Sequence, residues 1–253
     1  MDINTTKVKK YVGSCCGNSF VIVDCREFKL NKKTKVDLSS KEISKYKVDS
    51  ALFINSSKNF NINVEIFEKD GSESDSCGNG MLLISNFLKM KEGTIKMKRS
   101  AVTIEGTKQK QAFLINLKFS KIKKLKEKNS ILVKIGEPHI VFLTNNLNKF
   151  DLTRVGEKLQ TKYPKGVNVD AIQKVNEYNY LIKTYERGVF AITKSCGTGA
   201  LSSFIAISYF NKKTYNNPVS FKSSGGQLIV SNIKDNLRLE TFKKNCKIKK
   251  IIN

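Results

Sequence analysis

Two short segments of the sequence place a cysteine at the start of an apolar run. Residues 76–80 read Ser-Cys-Gly-Asn-Gly, and residues 195–199 read Ser-Cys-Gly-Thr-Gly. A cysteine at a helix start meets unpaired backbone N–H groups and the positive end of the helix dipole, and both favour the thiolate. The same N–H groups form a site for a carboxylate. Each segment therefore predicts a reactive sulfur beside half of an anion-binding site.

The repetition of the motif is what favours a function. A single Cys-Gly before an apolar run is more often a buried thiol at a turn, but Cys77 and Cys196 lie 119 positions apart in a chain of 253. Residues 17–23 and 136–142 resemble each other at the same offset. Two similarities at one offset predict two related halves, and a pseudo-twofold arrangement would bring both helix starts to one cleft.

Two facing thiols suit one kind of chemistry. A thiolate on one side removes a proton from a carbon acid, and a thiol on the other side delivers a proton to the opposite face. The result is inversion of a stereocentre without a cofactor. We expect the first half to span residues 1–120, joined by a last strand at 245–253, and the second half to span 121–244.

The elements that would position the cysteines are strands around one apolar helix in each half. Alternating apolar and polar residues predict the strands, and apolar residues on nearly every face predict that the helix after each cysteine is buried. A further helix start is expected at residues 38–43 with Ser39 or Ser40 as its cap, and another helix at 152–159 is expected to be capped near Asp151.

Composition excludes several classes of function. The formal charge of +24 would suit a nucleic-acid binder, yet only five of the 46 basic residues are arginine and the lysines are spread along the chain. We interpret the charge as a solvated lysine surface and expect no nucleic-acid partner. No apolar run approaches the roughly 20 residues that span a bilayer, so no membrane partner is expected. Residues 1–7 lack the apolar core of a secretory signal, which predicts a cytoplasmic location.

The six cysteines predict neither a disulfide framework nor a metal site. They fall at positions 15, 16, 25, 77, 196 and 246. A chain of this size without a secretory signal does not need disulfides, so we expect Cys15, Cys16, Cys25 and Cys246 to be small structural residues. Zinc is not expected, because the sequence has no Cys-x-x-Cys pair and only one histidine.

Taken together, the motifs resemble those of the diaminopimelate epimerase family, the cofactor-independent two-cysteine amino-acid epimerases and racemases. The resemblance extends over more than 200 residues. The matching segments are 17–24, 70–73, 77–80, 138–139, 167–169, 185–189, 196–200 and 225–228.

The resemblance implies a fold, a mechanism and a set of site residues. The fold is of the mixed α/β (α+β) class, with two pseudo-symmetric domains that each wrap a sheet around a central helix. The partner is a small amino-acid substrate, no cofactor is used, and a homodimer is expected. The implied catalytic residues are Cys77 and Cys196 with His139 and Glu186 beside them. The implied substrate contacts are Asn18, Ser50, Glu68, Gly78, Asn79, Glu137, Asn168, Glu186, Arg187, Gly197 and Thr198.

Several positions depart from the family pattern. Glu68 and Glu137 stand where the family usually has asparagine, and Ser50 stands where it has glutamine; the segment around Ile192 also differs. Added carboxylates at the substrate would favour a cationic distal group. Three functions therefore stay open: interconversion of LL- and meso-diaminopimelate, which leads, racemisation of another amino acid with a basic side chain, and a non-catalytic lysine-rich binding protein.

Overall fold

The structure is a computed structural model that describes residues 8–75, 77–98, 100–116, 120–125 and 129–251. Ser76 of the first cysteine motif and residues 252–253 of the expected last strand lie outside these ranges, as do residues 1–7. The chain forms two compact units. One unit consists of Met1–Phe113 with Phe242–Asn253, and the other is Leu114–Thr241.

In its described residues, the first unit contains two helices and most of nine strands. Its helices are α1 (Lys32–Tyr46) and α2 (Gly78–Phe87). Its strands are β1 (Lys9–Cys15), β2 (Asn18–Asp24), β3 (Ser50–Asn55), β4 (Ile62–Glu68), β5 (Glu73–Ser74), β6 (Glu92–Lys96), β7 (Ala101–Gly106), β8 (Lys110–Asn116) and β18 (Cys246–Lys250). A 3-10 turn at Lys243–Asn245 precedes β18.

In this unit β2 pairs antiparallel with β1 and parallel with β3. Strand β4 pairs antiparallel with β3 and β5 and parallel with β6, which is antiparallel to β7. Helix α2 packs against β1, β2, β7 and β18. Its residues 79–85 are all buried, as expected for a helix that is apolar on every face.

The second unit has the same plan. Its helices are α3 (Leu152–Lys162) and α4 (Gly197–Asn211). Its strands are β9 (Lys121–Lys124), β10 (Ser130–Ile135), β11 (Glu137–Leu143), β12 (Asn168–Asn176), β13 (Asn179–Glu186), β14 (Ala191–Thr193), β15 (Val219–Ser223), β16 (Gly226–Ile233) and β17 (Asn236–Phe242).

The strand pairings of the second unit repeat those of the first. Strand β11 is antiparallel to β10 and parallel to β12, and β13 is antiparallel to β12 and β14 and parallel to β15. Helix α4 packs against β10, β11, β12 and β16. The 119-residue sequence offset is therefore matched by a repeated topology, and the predicted mixed α/β class is confirmed.

The predicted start of the first helix is wrong. Helix α1 begins at Lys32, and its cap is Asn31, whose side chain accepts a hydrogen bond from the Thr34 backbone N–H. Ser39 lies inside the helix and donates to the Lys35 carbonyl one turn earlier. Serine at an interior position satisfies its hydroxyl in this way, so its presence did not mark a helix end. The predicted cap of α3 is confirmed, since Asp151 accepts from the Arg154 N–H.

The expectation of six reduced cysteines is also wrong, because Cys15 and Cys246 form a disulfide. The physical reason is strand register. Strands β1 and β18 are antiparallel neighbours, and Cys15 and Cys246 are directly opposite each other in that pairing. Opposed residues of an antiparallel pair have the close Cβ atoms that a disulfide needs.

In the described part of the chain, every helix is too short or too polar to cross a membrane.

Candidate functional site

In the first unit, Cys77 occupies the N-cap position of the buried helix α2. The Gly80 backbone N–H donates to its sulfur at 3.4 Å, an interaction that favours the thiolate. Gly78 and Asn79 form the first turn of the helix, where backbone N–H groups have no partner within the helix. Gly80 follows in close packing, because a Cβ at this position would lie 3.3 Å from Leu52 and 3.4 Å from the Cys77 sulfur.

Four other predicted site residues of this unit form two pairs. The Asn79 Nδ2 donates to Asn18 Oδ1 at 2.9 Å, which joins the helix start to the start of β2. Ser50 and Glu68 face each other across β3 and β4, and the Ser50 hydroxyl donates to Glu68 Oε2 at 2.8 Å. The other Glu68 oxygen accepts from Ser74 at 2.7 Å. The added carboxylate is thus held by two hydroxyl groups.

The turn before Asn18 has a defined geometry. Cys16 and Gly17 connect β1 to β2, and both have positive φ, 50° and 89°. A two-residue turn with this backbone matches the twist of a hairpin and sets the register of the strands on either side. On the far side of Asn18, the Ser19 N–H and hydroxyl both donate to Asp49. Asn18 therefore lies between a tight turn and Ser19, which is hydrogen-bonded to the Asp49 carboxylate.

In the second unit, Cys196 occupies the N-cap of helix α4, and Gly197 and Thr198 form its first turn. The Cys196 sulfur lies 3.4 Å from Thr198 Oγ1. Burial raises the pKa of the Cys196 thiol well above its usual value, and the negative charges of Glu186 and Asp170 raise it further. The hydrogen bonds from Thr198 and the Gly199 N–H act in the opposite direction but are weaker. In the resting protein Cys196 is therefore a thiol.

His139 lies at the centre of the polar contacts in this unit. Its Nδ1 is 2.7 Å from Asp170 Oδ2, and its Nε2 is 2.9 Å from Thr198 Oγ1 and 3.2 Å from Asn168 Nδ2. The other Asp170 oxygen accepts from the Thr184 hydroxyl at 2.6 Å. His139 and Asp170 are completely buried.

Glu186 ends strand β13 close to this cluster. Its carboxylate accepts a hydrogen bond from the Thr193 hydroxyl. Burial raises the pKa of Glu186, although the Thr193 hydrogen bond and the nearby His139 partly offset that effect. The negative charge of Glu186 raises the pKa of Cys196, and a hydrogen bond with Cys196 lowers the pKa of Glu186.

Arg187 follows Glu186 but makes different contacts. Its guanidinium forms an ion pair with Glu137 at the start of β11 and donates to the Lys165 carbonyl at 2.8 Å. Its backbone N–H donates to Asn168 Oδ1 at 2.9 Å. Arg187 also lines a cavity of about 480 Å³ together with Lys165, Phe190 and neighbouring residues. Within the second unit, all of the predicted residues thus belong to one connected cluster at the start of α4 and the ends of β11–β13.

Sequence reasoning missed several residues that hold this cluster together. Asp170 is the most informative of them, since it interrupts a run of buried apolar residues in β12. A carboxylate in such a run must have a partner, because burying an unpaired charge is very costly. That pattern was a usable signal. Thr184 and Thr193 carry no comparable signal, since hydroxyl groups in strands are common. The same is true of Asp49, which accepts from Ser19 in the first unit.

Comparison with known proteins adds to this geometry. The profile of the family described as diaminopimelate epimerase matches residues 131–244. A diaminopimelate epimerase from Clostridium acetobutylicum is 28% identical over 248 residues, which cover 84% of this chain and 74% of that protein. Another from Flavobacterium psychrophilum is 29% identical over 235 residues, 89% of this chain and 90% of that protein. The chain is thus similar to diaminopimelate epimerases over most of its length, and its second unit matches the family profile.

A solved structure extends the comparison to the fold. A phenazine biosynthesis protein of the PhzF family from Bacillus anthracis matches with a TM-score of 0.71 over 97% of this chain and 98% of its own. Its sequence identity is 13%, so it shows the fold alone. The similarity to diaminopimelate epimerases confirms the predicted resemblance and the prediction that the protein is an enzyme of the isomerase class.

Proposed function

We propose that this protein interconverts LL- and meso-diaminopimelate without a cofactor, using Cys77 and Cys196 as its two acid/base groups. The observation that carries the proposal is the repeated placement of a cysteine at the N-cap of a buried helix, once in each unit. The relatives in Clostridium acetobutylicum and Flavobacterium psychrophilum, both named diaminopimelate epimerase, support the choice of substrate.

The chemistry requires a base, an acid and an anion site around one α-carbon. One sulfur, as thiolate, takes the α-proton, and the other, as thiol, delivers a proton to the opposite face. The α-proton of an amino acid is very weakly acidic, so the site must stabilise the negative charge that develops. Backbone N–H groups of Gly78 and Asn79, and of Gly197 and Thr198, bind the α-carboxylate and share that charge.

The two cysteines differ in their resting states. Cys77 accepts a hydrogen bond from the Gly80 N–H, which favours the thiolate. Cys196 has a raised pKa because of burial and the carboxylates of Glu186 and Asp170. We assign Cys77 as the base and Cys196 as the acid in the first half of a turnover that starts from this state. His139 and Glu186 tune Cys196.

The remaining predicted residues are assigned to substrate binding. Asn18 and Asn79 contact the amino-acid end, and Ser50 and Glu68 present a carboxylate held by hydroxyl groups. Asn168 orients Arg187, which binds the distal carboxylate of diaminopimelate. A homodimer and a cytoplasmic location complete the proposal, and sedimentation of the purified protein tests the first of these.

One observation favours a second candidate function. The guanidinium of Arg187 is already paired with Glu137, so its charge is partly neutralised before any substrate binds. Glu68 adds another carboxylate. A substrate whose distal end carries only an ammonium group would pair with these carboxylates without competing for Arg187. Racemisation of a basic amino acid is therefore the alternative reaction on the same two cysteines.

Solvent isotope exchange separates the possibilities. The protein is incubated in deuterated water, with its cysteines kept reduced, against diaminopimelate, lysine, ornithine and histidine. Deuterium at Cα of diaminopimelate, absent in the Cys77→Ala and Cys196→Ala variants, is the expected result. Exchange into a basic amino acid alone would change the assigned substrate to that amino acid and leave the two-cysteine mechanism in place. Exchange into none of them would favour a non-catalytic binding protein and overturn the proposal.

A further inference from the structure

A continuous series of hydrogen-bonding groups leads from the core of the second unit to the Cys196 sulfur. The Thr184 hydroxyl contacts Asp170, Asp170 contacts His139, His139 contacts Thr198, and Thr198 contacts Cys196. The four separations are 2.6, 2.7, 2.9 and 3.4 Å. Asp170 and His139 are completely buried and Thr184 is 3% exposed, so the start of the series is shielded from water.

The contacts determine which nitrogen of His139 carries the hydrogen. The Asn168 Oδ1 accepts from the Arg187 backbone N–H, so the Asn168 amide must turn its NH₂ group towards His139. A donor facing Nε2 requires that Nε2 be unprotonated. The ring hydrogen then lies on Nδ1, and Asp170 must accept it as a carboxylate. Asn168 and Asp170, both on β12, thus favour the same tautomer.

We propose that Asp170 is a positioning residue that holds His139 as the Nδ1–H tautomer, so that Nε2 takes the Cys196 proton through the Thr198 hydroxyl when Cys196 serves as the base. The proposal rests on the proposed acid/base role of Cys196. In the transfer, the S–H bond breaks and its electron pair stays on sulfur as the thiolate. The Thr198 oxygen gains that proton and passes its own hydroxyl hydrogen to Nε2. The imidazolium that forms is paired with the Asp170 carboxylate.

Asp170 affects Cys196 in two ways that have opposite signs. As a nearby negative charge it disfavours the thiolate directly, as Glu186 does. Through His139 it stabilises the imidazolium and so favours the thiolate. The ionisable groups that interact electrostatically here are Asp170 on β12, His139 on β11, Glu186 on β13 and Cys196 at the start of α4. We call the transfer from Cys196 through Thr198 to His139 the relay. Removal of the Asp170 charge alone therefore distinguishes the relay from simple repulsion between Asp170 and the Cys196 thiolate.

The first test uses the fact that His139 is the only histidine in the chain. In protein labelled with ¹⁵N-histidine, a long-range ¹H–¹⁵N spectrum reports one imidazole without ambiguity. We expect a protonated Nδ1 and an unprotonated Nε2 in the resting protein, and Asn168 should still favour this tautomer in Asp170→Asn. An Nε2–H tautomer in the unmodified protein would overturn the proposal.

The second test measures the thiolate at Cys196 by its alkylation rate with iodoacetamide, followed at the Cys196 peptide by mass spectrometry across a pH series. The relay predicts that Asp170→Asn slows alkylation about tenfold below the thiol pKa, the effect of one pKa unit. Simple repulsion predicts faster alkylation, and that result, or an unchanged rate, would contradict the relay.

Thr198 supplies an independent pair of variants in case Asp170→Asn does not fold. Thr198→Val removes the hydroxyl and should slow alkylation of Cys196, whereas Thr198→Ser retains the hydroxyl and should restore the rate. Thr161→Val, on the surface of α3, is the matched control and should leave the rate unchanged. Equal rates in Thr198→Val and Thr198→Ser would overturn the proposal. Because no substrate is used, failure of the proposed function would be seen separately, as absent exchange into diaminopimelate.

Discussion

Glu137 and Arg187 form an ion pair between the start of β11 and the residue that follows β13. Arg187 is the residue assigned to the distal carboxylate of the substrate, and Glu137 stands where the family usually has asparagine. A substrate carboxylate must therefore displace Glu137 or share the guanidinium with it. Glu137 is therefore expected to weaken the binding of diaminopimelate, and its substitution should change KM.

Glu137→Gln should lower KM for diaminopimelate about two- to fivefold. The ion pair is partly exposed, with side chains 33% and 23% accessible, and such pairs contribute roughly 0.5–1 kcal/mol. Steady-state kinetics measures the change. Glu177→Gln is the matched control, since Glu177 pairs with Lys213 on the surface of the same unit and should leave KM unaltered. A higher KM in Glu137→Gln would mean that the carboxylate itself binds a cationic group.

Cys77→Ala and Cys196→Ala should each reduce inversion by at least about 10³-fold, because each removes an acid/base group that nothing else replaces. The Cys25→Ala variant is the control. Cys25 is buried in a hydrophobic cluster of the first unit, so its substitution should leave the reaction intact. Inversion is followed by circular dichroism or chiral chromatography. Full turnover in Cys77→Ala would contradict the two-thiol mechanism.

The two glycines that end the cysteine motifs, Gly80 and Gly199, should lose different amounts of stability when they are replaced by alanine. A Cβ at Gly199 would lie 2.6 Å from Asp170 Oδ1 and 3.0 Å from Thr184, whereas a Cβ at Gly80 would approach its neighbours no closer than 3.3 Å. Gly199→Ala should therefore lose about 1–3 kcal/mol of stability through overpacking, and Gly80→Ala should lose less. Thermal or urea unfolding of both variants measures the difference. Equal losses would show that Asp170 is not packed against α4 as described.

Reduction of the Cys15–Cys246 disulfide should lower the free energy of unfolding by about 2–5 kcal/mol, since the bond closes a loop of 231 positions. Cys246→Ser should show the same loss and should not respond to dithiothreitol. In denaturant without reductant, the protein should present four reactive thiols, those of residues 16, 25, 77 and 196. A count of six would show that the bond does not form.

Cys25 should make stability depend on alkaline pH. Burial raises the pKa of its thiol from 9.0 to about 11 in the folded protein. Below about pH 9 both states keep the proton, and between about pH 9 and 11 only the unfolded state loses it, which favours unfolding. Stability should therefore fall by about 2–3 kcal/mol across this interval. Lysines also titrate there, so the relevant quantity is the difference between the protein and Cys25→Ala, which should lack this contribution. If the stability of the protein and of Cys25→Ala fell in parallel with rising pH, Cys25 would not be the source of this pH dependence.

The sequence by itself determined the features that depend on neighbouring residues. The cysteine motifs begin helices at Gly78 and Gly197, as their glycines and apolar runs indicated, and Asp151 caps α3. The repeat and the family motifs were also readable, since each is a local pattern that recurs at a fixed offset.

Only the tertiary structure decided which distant residues meet. Cys15 pairs with Cys246 because the register of β1 and β18 places them opposite each other. Asp170 reaches His139, and Glu137 reaches Arg187, because β11, β12 and β13 lie side by side in one sheet. Composition and periodicity describe which face of a strand is buried, but the pairing of strands sets the partners across it, and that pairing depends on the packing of the whole unit.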